Sequence, residues 1–238
     1  MASSPSPPIP AAVPTVLGFV AGYVDGCTFL ALFGLFVAQV TGSFVLAGAE
    51  LVAHDPGVVV KIAAIPVFLG AGVLTTLVVH AVRRRGDPLP WALAMELVFL
   101  AGLMGAGLVG RPLHDPGAPA AVTAALCGLA AMGVQSAYVR LMFAGYGSTN
   151  VMTTATTQLA IDLAEAALAW RHRRRDAHGT REFVSARRRL LRGAPVVAAF
   201  LAGTGTGALA YVMVDMWALA AVLALMLAVI VWAIIRKE

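Results

Sequence analysis

Charge is scarce in this chain. Asp, Glu, Lys and Arg make up 12% of its 238 residues while 60% are hydrophobic, and mean hydropathy is +0.85. A water-soluble domain has too little interior to bury that much apolar side chain, so a soluble globular protein is excluded and lipid is the expected solvent. Cysteine is nearly absent. Cys27 and Cys127 each lie in an apolar run, so no disulfide is expected and both read as small packing residues. Neither GxSxG nor HExxH occurs, which removes the usual nucleophile and zinc signatures; no enzyme activity and no cofactor are expected. No basic residue precedes an apolar core within Met1–Pro10, so residues 1–11 read as a disordered tail and not as a cleaved signal.

What is present is a series of apolar segments over 12–34, 35–53, 57–82, 90–110, 118–143, 149–169, 194–213 and 217–235. A hydrocarbon core of about 30 Å needs about 20 residues of helix, and six segments meet that without a strongly polar centre. The second, AQVTGSFVLAGAEL over 38–51, and the sixth, TNVMTTATTQLAIDL over 149–163, are interrupted by polar residues. Paired polar interruptions in two halves are how membrane transporters build a site at mid-bilayer, because irregular backbone survives there only when protein or a water-filled cavity surrounds it.

The basic residues test the topology. If the two polar segments dip in and return, one side collects Arg83, Arg84, Arg85, nine arginines of 171–192, Arg236 and Lys237, fourteen in all, against Lys61 and Arg111. If all eight segments cross, the split narrows to thirteen against four. The larger asymmetry favours six spans with both termini cytoplasmic. The net charge of +5 therefore reads as a basic membrane face; no stripe of arginine with interleaved aromatics points to nucleic acid. The 171–192 stretch reads as a basic cytoplasmic loop, with attraction to anionic lipid as a secondary role.

Three spans per half make the halves inverted. Val40-Thr41-Gly42 aligns with Met152-Thr153-Thr154, and the same offset carries Glu50-Leu51 onto Asp162-Leu163. Phe68 to Gly72 answers Phe200 to Gly205, and Gly22-Tyr23-Val24-Asp25 loosely answers Met132-Gly133-Val134-Gln135. The expected fold is an all-α integral membrane protein of six transmembrane helices plus two re-entrant half-helices. Repeat 1 covers 12–111, an outer loop 112–117, and repeat 2 118–238.

The residues Gly22 to Gly26, Phe36 to Ser43 and the threonine-rich Ser148 to Leu159 resemble the YoaK family of small bacterial membrane proteins. The resemblance runs over about residues 14 to 235. It implies a multi-pass protein of the bacterial inner membrane, of a family of unknown function often labelled a permease. Family members usually carry asparagine where this chain has Gln39 and Ser43, and Thr-Gly-Thr where it has Thr153-Thr154-Ala155.

Geometry gives the polar segments a task. An extended descent over 35–41 reaches about 20 Å and a return helix over 43–54 climbs about 18 Å, which places Thr41-Gly42-Ser43 near mid-membrane. Gly42 permits the turn, and Thr41 or Ser43 can cap the first amides of the return helix. Amides left uncapped favour an anionic or hydroxylated ligand. Asn150, Thr153, Thr154 and Thr157 offer the same from the other half. The competing explanation for each threonine is a bond back to a carbonyl one turn earlier.

Buried acids cost at least about 2.5–3.5 kcal/mol at the bilayer centre. Asp25 is the leading proton or cation site, with Gln135 as its uncharged counterpart. Glu50 and Asp162 read as hydrated ends of the short helices, Glu96 as either a helix-pairing or a functional acid, and Arg140 as an ion-pair partner of Asp162 or Glu165. His54-Asp55-Pro56-Gly57 and His114-Asp115-Pro116-Gly117 read as turns before metal sites, and no metal is expected. Gly203 to Gly207 has no preceding strand or following Lys and reads as a small-residue packing face. The expected function is a small-solute permease, proton coupled, whose partners are the lipid bilayer and an anionic or hydroxylated solute; a homodimer is compatible with it. The alternative is a non-transporting membrane scaffold or assembly factor.

Overall fold

The computed structural model describes residues 12–53, 57–143, 152–172 and 177–235. Among them the chain forms eight α-helices and no strand: α1 Ala12–Ala31, α2 Val40–Ala53, α3 Val58–Arg83, α4 Leu89–Val109, α5 Pro119–Met142, α6 Met152–His172, α7 Ala177–Val214 and α8 Leu219–Ile235, with a 3-10 turn over Asp215–Ala218. Proline near the first turn starts α4 and α5, where its missing N–H is not needed. The Asp87 carboxylate accepts the Leu89 N–H at 2.9 Å.

Among the described residues, five stretches are long and apolar enough to cross a membrane: Ala12–Ala31, Val58–Arg83, Leu89–Val109, Pro119–Met142 and Glu182–Ile235, the last covering most of α7 and all of α8. Large apolar side chains such as Val73, Leu77, Val98, Leu201, Leu209 and Val212 stand exposed on them. Leu17, Leu93, Leu103, Leu129, Met132 and Met226 fill the interior. A surface this apolar suits lipid and not water. The protein is an all-helical membrane bundle.

Small residues set the helix spacing. Along α1, Gly18, Gly22 and Gly26 face the carbonyls of Val196, Phe200 and Thr204, while Gly203 and Gly207 face those of Phe19 and Tyr23. The numbers rise together, so α1 and α7 run parallel. A Cβ on Gly22 would lie 2.1 Å from the Phe200 carbonyl oxygen, and one on Gly207 2.2 Å from that of Tyr23. Only glycine admits backbones this close. The packing face expected at Gly203 and Gly207 is thus present, while Gly205 faces open space.

A second parallel pair is α3 with α5, where Gly133 meets the Phe68 carbonyl and Gly72 approaches Ala137. The α4 helix runs antiparallel to α5, with Gly110 beside Ala120 and Gly102 beside Cys127. The 3-10 turn before α8 meets the end of α4 through Met216 on Gly107, and its Asp215 pairs with Arg111 just past α4 at 3.0 Å. The turn just after α1, the starts of α3 and α5 and Pro116 line one small void, so they share one end of the bundle. At the other end Arg83 donates to the Leu141 carbonyl at 3.5 Å.

Two expectations change. The basic stretch 171–192 is helical from Ala177, so α7 is 38 residues long, about 57 Å at 1.5 Å per residue. Arg, Leu, Ala and Glu dominate the second half of that stretch, and such residues extend a helix once the apolar part has nucleated it. Helix α2 begins at Val40, not 43, so the non-helical approach to it covers 35–39 and not 35–41. The chain enters that approach by a sharp turn at Phe33 and Gly34, both with positive φ (56° and 77°).

Replacing Gly22 with Ala is expected to destabilise the protein by about 1–3 kcal/mol through overpacking, read as a lower melting temperature in detergent. Gly205→Ala, with nothing within 4 Å, is the control and should be neutral or slightly stabilising.

Candidate functional site

A helix that starts inside a membrane bundle leaves amide groups that lipid cannot satisfy. The non-helical residues just before α2 face the same need, and a side chain from α1 meets it. Asp25 lies six residues before the end of α1, about 9 Å along its axis, and is 2% exposed. Its Oδ1 accepts the N–H groups of Val37 at 2.8 Å and Ala38 at 2.7 Å, and its Oδ2 that of Gln39 at 3.3 Å. The segment after α1 therefore folds back along it by nearly two turns before α2 begins. A carboxylate facing three amides makes charge-assisted bonds, the strong kind in a low-dielectric setting.

Ser43 closes the same turn. Its hydroxyl donates to the Phe36 carbonyl at 2.8 Å and accepts the Phe36 N–H at 3.1 Å. Gly42 donates to the Gln39 carbonyl at 2.8 Å, and a Cβ there would press on the Phe36 ring at 3.1 Å. Asp25 takes up the three amides just before α2, and Ser43, expected to cap α2, ties down the preceding loop. Thr41 is exposed. Beside this turn lies a cleft of about 200 Å³ lined by Asp25, Phe29, Phe36, Gln39, Thr204 and Ala208 among others. Phe29 and Phe36 stack at 4.8 Å between ring centroids.

The far end of α2 is clamped as well. Lys61, 2% exposed, forms an ion pair with Glu50 and donates to the Phe33 carbonyl at 2.8 Å. Glu50 is therefore not a hydrated helix end. An ammonium buried among apolar residues needs a carboxylate, and Glu50 is the acid within reach. Lys61, entered above only in the charge count, is a site-building residue; its signal was a lone Lys inside the run Val58 to Ile65.

In the second half Asp162 is also buried, and the arginine that reaches it is Arg189, at 2.6 Å, with Glu165 as a second partner. Arg140, expected in that role, is exposed near the end of α5. Four residues separate α6 from α7, so the two form a helical hairpin, and a hairpin brings Asp162 opposite Arg189 where sequence distance hides the match. Thr153, Thr154 and Thr157 are exposed on α6, and Thr157 donates to the Thr153 carbonyl at 2.9 Å, the back-bonding alternative. Met152 packs against the core. Asn150 and the His54-Asp55-Pro56 motif lie outside the described residues. Asp115 accepts the Gly117 N–H at 2.8 Å, the bond of an Asx turn.

Gln135 does not join Asp25. Its Nε2 donates to the Leu17 carbonyl at 2.8 Å, two turns away along α1. Glu96 sits apart between α4 and α5, fully buried, accepting the Tyr138 hydroxyl at 2.6 Å. Tyr23, unremarked in the sequence, donates to the Ala218 carbonyl at 3.0 Å and ties α1 to the turn before α8. The structure thus gathers Asp25, Gln39, Gly42 and Ser43 with Thr204 at one place, and leaves Glu96 and the α6 threonines elsewhere.

Lys61→Met should be costly, up to about 3–5 kcal/mol, because it orphans a largely buried acid. The double variant Lys61→Met/Glu50→Leu should regain at least half of the lost stability in detergent melting; equal loss in both would mean the ion pair is not what fixes α2.

The family model for a protein of unknown function, DUF1275, matches residues 13–232. No curated protein and no solved structure matches the chain. With the match running from the first turn of α1 into the last turns of α8, in agreement with the YoaK-type resemblance around Thr41-Gly42, the chain belongs to the DUF1275 family.

Proposed function

We propose that the protein is a small-solute permease in which six helices cross the cell membrane while α2 and α6 enter and leave on one side. Helix directions support this topology. The turn just after α1 and the start of α3 line the same void, so the chain enters and leaves the α2 segment at one end of the bundle. Helix α7 runs parallel to α1 and α5 to α3, which leaves α6 a matching place between α5 and α7. The charge count orients both termini to the cytoplasm.

An inverted repeat is supported by matched packing. The α1–α7 contact has its counterpart in α5–α3: Gly22 meets the Phe200 carbonyl as Gly133 meets that of Phe68. The contact pairs Gly22 with Gly133, one residue off the alignment made from sequence. Helices α2 and α6 are each clamped by an acid at the same offset, Glu50 or Asp162, to a base on the next helix, Lys61 or Arg189. Rocking one repeat against the other would then expose the cleft alternately.

The observation that carries the transport reading is the Asp25 carboxylate on three consecutive amides at the edge of the cleft. While ionised it occupies donors that would otherwise suit an anionic or hydroxylated solute. Proton uptake by Asp25 removes the charge that holds the amides. Release of the α2 start and binding of the solute are then linked to one proton, and Gln39 at the cleft wall contributes an amide side chain to the same solute.

Topology is tested with a membrane-impermeant maleimide on intact cells: Ala53→Cys should label from outside and Arg83→Cys only after permeabilisation, whereas an α2 that crosses reverses the pattern. Function is tested by uptake into proteoliposomes across small anions, amino acids and polyols, with and without a pH gradient. Wild type should accumulate one class faster with an inward proton gradient. Asp25→Asn should abolish the gradient dependence, and Gln39→Leu should lower flux at an unchanged melting temperature. A folded wild type with no flux for the whole panel contradicts the permease reading.

A further inference from the structure

Helix α7 carries more arginine than its own fold consumes. Arg189 is committed to Asp162 and Glu165. Arg187, Arg188 and Arg192 are exposed, and among the described residues none of them forms an ion pair. At 100° per residue, Arg187, Leu191, Val184, Arg188 and Arg192 fall within an arc of about 140°. Ala186 and Arg189 point the other way, toward α6, and Ala186 is buried. The outward face is therefore basic and apolar together: Val184 is 51% and Leu191 61% exposed. No acidic residue occurs between Phe183 and Arg192.

The depth of this face follows from α7 itself. Counting about 20 residues back from Val214, the end of the helix, puts the hydrocarbon edge near Pro195, and Val196 is the residue that abuts Gly18 in the first turns of α1. Arg192 lies one turn beyond that edge and Arg187 and Arg188 about two, within reach of the headgroup layer for side chains that extend toward it. We propose that this face of α7 binds acidic phospholipid headgroups, with Arg187, Arg188 and Arg192 on the phosphates and Leu191, the exposed apolar side chain of this face nearest the edge, at the headgroup–acyl boundary. A zwitterionic lipid presents the same phosphate without net charge, so the selectivity is for the anionic headgroup. The proposal is independent of transport, since it concerns a surface and not the cleft.

The test is native mass spectrometry of the detergent-purified full chain with phosphatidylglycerol or phosphatidylcholine added in equal amounts. Wild type should retain phosphatidylglycerol preferentially. Each such cation near an acidic surface is worth about fivefold, so the triple variant Arg187→Gln/Arg188→Gln/Arg192→Gln should lose that retention by about tenfold or more. Arg111→Gln, at the opposite end of the bundle, should bind as wild type. Should the triple variant fail to fold, wild type alone decides: its phosphatidylglycerol adducts should fall steeply between about 50 and about 500 mM salt while phosphatidylcholine adducts do not. Equal retention of both lipids by wild type, salt-insensitive binding, or unchanged binding in a folded triple variant overturns the proposal.

Discussion

Everything near the cleft depends on one carboxylate meeting three amides. A helix that begins within an apolar bundle has no water to cap it, and the segment over Val37, Ala38 and Gln39 finds its acceptor on Asp25, twelve to fourteen residues earlier. That contact reverses the chain after α1 and fixes where α2 starts. It also sets a charged group at the cleft wall, at a depth where an acid without partners would be expensive. In the proposed transport cycle the bonds that make the acid tolerable are also those that proton uptake would weaken.

Two further constraints hold the frame in which that contact works. Glycines on α1, α5 and α7 bring helix backbones to distances that no Cβ would allow. Lipid supplies no hydrophobic drive between helices, so this close dispersion contact is what makes α1 and α7 a unit. Ion pairs then locate α2 along α3 and α6 along α7. Lys61 joins Glu50 and the strained turn at Phe33 to α3, and Arg189 joins α6 to α7. In a site with few polar partners, each pair specifies one register, since a slip of one turn would leave a charge buried alone.

The division of the arginines on α7 shows the same economy. Arg189 turns inward to acids, while its neighbours Arg187 and Arg188 turn out, because adjacent helical residues point about 100° apart. A run of three identical residues thus occupies two different environments, and the composition of the run does not distinguish them.

The sequence by itself determined the membrane class, the approximate extent of most apolar segments, though not where α2 and α7 begin, and the small-residue face at Gly203 and Gly207. These are set by local composition and by periodicities of three to four residues, which any stretch of chain carries within itself. It also singled out Asp25, Gln39, Gly42 and Ser43, since polar residues in apolar runs are conspicuous. Tertiary structure alone decided what those residues touch: that Asp25 caps the approach to α2, that Lys61 answers Glu50, and that Arg189 and not Arg140 reaches Asp162. Each of these partners lies on another element, 11 to 27 residues away, and which pairs meet depends on how far the chain folds back and how closely the helices pack, neither of which a local pattern encodes.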